Sequence, residues 1–158
     1  MQTHVPRHPD RAAILRRCKV SIPTAMGERI HKLALDAGRL LDCTVSHATL
    51  FRAALIPWIA KAERSPLVNT YEEIRRAAPP YGTLLQSCRP ALSKELSVKL
   101  EGLRKKLGGE LCRYAAEGRS ALVLAALVPW LEAADRDLRA ALEGIRVGIV
   151  KRGRKRNP

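Results

Sequence analysis

The sequence predicts a mainly α-helical protein made of two copies of one strand-helix-helix unit, and three observations carry that reading. Hydrophobic residues make up 46% of the chain but aromatics only 4%, so the core must come from Leu, Ile, Val and Ala, a palette that suits helices. The run Ala53-Ala54-Leu55-Ile56-Pro57-Trp58-Ile59 returns as Ala125-Ala126-Leu127-Val128-Pro129-Trp130-Leu131, and these hold the chain's 2 tryptophans. Aligning the two runs, with a small gap upstream, sets Cys18, Lys19 and Ile22 opposite Cys88, Arg89 and Leu92, and Gly38 opposite Gly108. Repetition on this scale is the signature of an internal duplication. The 158 residues suit one compact domain or two intertwined halves.

The chain in order supports this division. Residues 1–16 hold His4, Pro6, Arg7, His8, Pro9, Arg11 and Arg16 and read as a basic arm. Arg17 to Ile22 alternates with period two, so Cys18, Val20 and Ile22 share one face while Arg17, Lys19 and Ser21 share the other. Pro23 then suits a first helical turn. Met26, Ile30, Leu33, Ala34 and Ala37 follow at helical spacing, with Gly38 as the expected cap. Ser46 and its neighbours offer N-capping chemistry to a second helix carrying Leu50, Phe51, Ala54, Leu55, Trp58 and Ala62. Pro57 is expected to kink that helix or open its ladder.

A linker spans 64–86, with a short polar helix from Thr70 to Ala78. Its length lets the second strand return antiparallel to the first. In the second copy Ser87 to Leu92 alternates again, with Pro90 expected on the outward-bonding side of a two-stranded ribbon. Leu96, Leu100, Leu103 and Leu107 form a helical stripe closed by Gly108. A last helix opens at Gly118, carries Leu122, Ala126, Trp130 and Ala133, and is expected to run on to about Glu143. The predicted divisions are an arm over 1–16, a first half over 17–63, a linker over 64–86, a second half over 87–134, and a helix extension with a basic tail over 135–158.

A formal net charge of +14 and a pI near 10.4 favour a polyanionic partner, nucleic acid by default. Cys18, Cys43, Cys88 and Cys112 lack Cys-x-x-Cys spacing and nearby histidines, so buried thiols are expected and neither a metal nor another cofactor is. The opening stretch has no apolar signal core, and no window approaches the roughly 20 apolar residues of a membrane span. The expectation is a cytoplasmic protein with no membrane partner. His31 and His47 have no positioned Ser, Cys or carboxylate that spacing singles out, so an enzyme is not expected.

The motifs Cys18-Lys19-Val20-Ser21-Ile22-Pro23 with Thr44 to Leu55, and Cys88-Arg89-Pro90-Ala91-Leu92 with Gly118 to Leu122, resemble the ribbon-helix-helix family of DNA-binding proteins. The resemblance implies a tandem pseudo-dimer in one chain, with one two-stranded antiparallel ribbon and four core helices. It implies that Arg17, Lys19 and Ser21, with Ser87, Arg89 and Ala91, read base edges in the major groove of double-stranded DNA. It also implies phosphate contacts from the second helix of each half, at Ser46 and His47 and at Arg119 and Ser120. Lys151, Arg152, Arg154, Lys155 and Arg156 are expected to add nonspecific attraction.

Because the halves differ, a palindromic site is not demanded, and single-chain forms resemble accessory DNA-binding proteins of conjugative or tumour-inducing plasmid transfer. A relaxase or another transfer protein is the partner this implies. Transcriptional repression by the same fold is the near alternative, and a basic helical scaffold without sequence preference is the distant one.

Overall fold

A computed structural model describes residues 15–108 and 118–143. In chain order the elements are β1 (Leu15–Arg17), β2 (Val20–Pro23), α1 (Thr24–Leu41), α2 (His47–Arg64), α3 (Leu67–Ala77), β3 (Leu85–Cys88), β4 (Ala91–Ser93), α4 (Lys94–Leu107), α5 (Gly118–Arg136) and α6 (Leu138–Ala141). The protein is mainly helical with small two-stranded antiparallel pairings. The first strand starts inside the expected arm. The rest of that arm and the basic tail lie outside the described residues.

β1 pairs with β4 and β2 with β3, both antiparallel. Arg17 lies opposite Ala91, Val20 opposite Cys88 and Ser21 opposite Ser87, so one register runs through both ladders. The join is closed by the Cys18 amide, which donates to the Pro90 carbonyl at 3.0 Å. Residues that pair in this way normally exchange two N–H···O bonds. Pro90 has no N–H to return, so the ladder divides at this point. The expectation that its nitrogen faces outward is corrected: the register turns it toward the opposing strand. The missing bond costs about 0.5–1.5 kcal/mol.

The inward face of the ribbon carries Cys18, Val20, Ile22 and Leu92, all buried. Its outer edges are covered by side chains from the helices. The Ser21 amide donates to Ser120 Oγ at 2.8 Å, and Arg52 Nη1 donates to the Ala91 carbonyl at 2.9 Å. Polar edge groups that would otherwise invite another strand are thereby bonded.

α5 is the centre of the core. Every residue from Ser120 to Leu127 is buried, so this stretch of the helix is enclosed all round, whereas beyond it Pro129, Glu132, Asp135 and Arg136 are exposed and burial returns to one stripe. It packs against α2, α3, α4 and β2. α5 ends at Arg136 instead of running on toward Glu143. Asp137 breaks it and caps α6, its side chain accepting from the Ala140 amide at 3.1 Å.

The linker does more than connect. α3 buries Thr70 and Ile74 and packs on α5. Glu73 accepts from Trp58 Nε1 at 2.6 Å and pairs with Lys61 at 3.0 Å, while the Tyr71 hydroxyl donates to the Leu107 carbonyl at 2.9 Å. Trp58 is buried, whereas Trp130 is only half-buried at the rim of the core. Both prolines of the duplicated run lie inside unbroken helical segments.

Gly38 does not cap α1, which continues to Leu41 and ends at Asp42 in the left-handed conformation, φ 56°. The glycine is needed for another reason: a Cβ there would meet the Cys43 carbonyl oxygen at 2.7 Å. Gly108, by contrast, does close α4, at φ 63°.

Candidate functional site

Alternation along each strand places Arg17, Lys19, Ser21, Ser87, Arg89 and Ala91 on the face of the ribbon turned away from the core. Arg17, Lys19, Ser87 and Arg89 are exposed, and Ser21 and Ala91 are half-buried. The shared register makes three cross-strand pairs of them: Arg17 with Ala91, Lys19 with Arg89, and Ser21 with Ser87. These alternate with the hydrogen-bonded pairs, so each brings its side chains together over Cα atoms roughly 4.5 Å apart.

No acidic residue interrupts this face, and among the described residues none of Arg17, Lys19 and Arg89 has a carboxylate partner. The ion pairs formed elsewhere consume the acidic side chains locally, as with Asp36 between Lys32 and Arg39, or Glu101 with Arg104, whose guanidinium holds the Glu101 carboxyl below its ordinary range. Like charges placed directly opposite across strands repel. The ribbon therefore presents a compact cationic strip.

The first half brings a helix start to this strip. Ser46 caps α2, its Oγ accepting from the Thr49 amide at 3.2 Å. His47, the first helical residue, is exposed and lines a cleft of about 330 Å³ together with Arg17, Gln86, Arg89 and Ala91. Free amides at a helix start carry partial positive charge, so this cleft sets Arg17, Arg89 and His47 beside a helix N-terminus, over an apolar floor that includes Ile22, Ile30 and Phe51.

The second half is different. Ser120 is fully buried and its hydroxyl is engaged by the Ser21 amide, so the expected phosphate contact there is corrected to a structural one. Its burial follows from the enclosure of α5. Arg119 is half-buried, with Nη1 donating to Cys18 Sγ at 3.7 Å. The expected residues Lys151, Arg152, Arg154, Lys155 and Arg156 lie outside the described residues.

Two features were missed from the sequence. Arg52 anchors β4 through the Ala91 carbonyl; the signal was a lone arginine inside the apolar run Leu50 to Leu55. His31 and His47 approach with Nδ1 and Nε2 3.2 Å apart, a meeting that only the α1–α2 turn geometry reveals. Of the thiols expected to be buried, Cys18 alone is fully so, Cys43 is half-buried, and Cys112 lies outside the described residues. Cys18 is buried and Cys88 half-buried on the inner face, neither in a disulfide, and burial followed by the nearby Cys18 pushes the Cys88 thiol up to about 11.

Among the described residues no helix is long and apolar enough to cross a membrane. No protein-family model matches the chain, and no curated protein or solved structure shows significant similarity to it.

Proposed function

We propose that the chain is a single-chain ribbon-helix-helix protein that binds double-stranded DNA by laying its two-stranded ribbon in the major groove. The observation that carries this reading is the outward strip of Arg17, Lys19 and Arg89 without acidic partners, on a ribbon whose other face is core. A two-stranded ribbon fits the major groove, and arginine and lysine donate to guanine O6 and N7 there. Ser21 and Ser87 supply shorter polar contacts, and Ala91 can meet a thymine methyl. The α2 start and His47 flank the strip where a phosphate would lie.

The two ends of the strip differ, Arg17 with Ala91 at one and Ser21 with Ser87 at the other. This asymmetry favours a non-palindromic target, and with it an accessory role in plasmid or T-DNA processing beside a relaxase over repression at a palindromic operator. In this reading one chain acts as an intramolecular pseudo-dimer and needs no cofactor.

The test compares Lys19→Ala and Arg89→Ala with deletion of residues 151–156, using duplex binding at several salt concentrations. Base-reading residues should lose roughly 1–3 kcal/mol at particular base pairs. The tail deletion should weaken all duplexes alike and flatten the salt dependence. Identical behaviour of the two classes of variant would overturn the proposal.

A further inference from the structure

We infer that His31 and His47 form a binding site for one divalent transition-metal ion of the zinc and copper class. His31 lies within α1 and His47 is the first residue of α2. Their rings meet at 77°, with Nδ1 of His31 3.2 Å from Nε2 of His47. Two imidazoles that bind one tetrahedral zinc, with Zn–N distances of 2.0–2.1 Å, hold their ligating nitrogens about 3.3 Å apart. The pair therefore stands at coordination spacing, and an ion can enter with small rotations of the two side chains.

The backbone positions are fixed independently of any ion. α1 carries Ile30, Leu33 and Ala34 into the core, and α2 is capped by Ser46. Between neutral rings the short contact holds one N–H pointing at the other nitrogen's lone pair. Metal binding requires the donor ring to switch tautomer, its hydrogen passing through water to that ring's other nitrogen, so that Nε2 of His31 and Nδ1 of His47 each carry one hydrogen. Both residues are exposed, so water has access to the remaining coordination positions. Among the described residues no third histidine, cysteine or carboxylate joins them in a metal-binding group.

Donor type selects the ion. A site made only of imidazoles offers nothing to magnesium or calcium, which take oxygen ligands. Zinc and copper are the ions that imidazole ligands suit. The metal site does not depend on the DNA-binding reading.

The test is calorimetric titration of the full chain with zinc chloride, without DNA and with a non-thiol reductant present. We expect about one equivalent bound, a loss of at least tenfold in affinity in His31→Ala and in His47→Ala, and unchanged binding in His4→Ala/His8→Ala, which removes the chain's other two histidines. Cobalt titration should show no thiolate charge-transfer band. Circular dichroism should match wild type for every variant, and His31→Gln supplies a second polar replacement that keeps the helix. Absence of binding, binding indifferent to His31 and His47, loss in the His4/His8 variant, or a thiolate band would each overturn the inference.

Discussion

Lys19 and Arg89 stand directly opposite each other across the ribbon, and they are also the residues that the duplication maps onto one another. This opposed pair is therefore one of like charges, with Arg17 one pair away on the same face. Such a pair opposes folding slightly and rewards an anion that spans it.

Lys19→Ala and Arg89→Ala should for this reason leave the fold at least as stable as wild type, within about 0.5 kcal/mol, while duplex affinity falls. Urea unfolding beside fluorescence anisotropy on the same preparations separates the two effects. A stability loss above about 1 kcal/mol would mean that the pair supports the ribbon rather than a ligand.

Ser120→Ala tests the corrected role of this residue. Its hydroxyl is the acceptor for the Ser21 amide at 2.8 Å in a fully buried position, and removing it strands that amide. Chemical denaturation should show a loss of about 1–3 kcal/mol. A substitution that lowered DNA affinity at unchanged stability would restore the phosphate-contact reading.

Gly38→Ala should destabilise by about 1–3 kcal/mol, because its Cβ would stand 2.7 Å from the backbone oxygen of Cys43 and only movement of the α1–α2 turn can relieve that contact. Gly102→Ala is the internal control. A Cβ at Gly102 meets nothing within 4 Å, and a helix interior favours alanine. Thermal melts should shift in opposite directions, and a neutral Gly38→Ala would show that the turn gives way easily.

The Cys88 thiol makes stability depend on alkaline pH. Its value in the fold is about 11, above the ordinary 9.0, so between these values the unfolded chain has lost a proton that the folded chain still holds. Stability then falls as pH rises through that window. Cys88→Ala should remove part of the fall measured by urea unfolding between pH 8 and about 10.5, chosen to bracket the lower part of that window. Equal slopes in both proteins would place the alkaline loss elsewhere.

Much of this architecture is legible in the residues. Period-two alternation from Arg17 to Ile22 and from Ser87 to Leu92 separates the two faces without any knowledge of pairing, and Ser46 announces the α2 cap it forms. What escapes the sequence depends on register and on neighbours. Pro90 reads as a residue tolerated on the outward-bonding side, at some cost, until Cys18 is known to lie opposite it. α3 reads as a polar connector because Glu72, Glu73, Arg75 and Arg76 dominate its surface, while only Thr70 and Ile74 are buried. Ser120 resembles a helix-start phosphate ligand until the stretch of α5 from Ser120 to Leu127 is seen to be enclosed on all sides, and His31 with His47 become a pair only when the turn folds α1 beside α2.

The most direct measurement is a binding selection from random duplex DNA at near-physiological salt, run in parallel with wild type and with Lys19→Ala/Arg89→Ala. The account predicts that wild type enriches a short, asymmetric motif and that the double variant loses preference at the central base pairs. Retention of DNA without enrichment of any motif by wild type, or the same motif selected by both proteins, would contradict it.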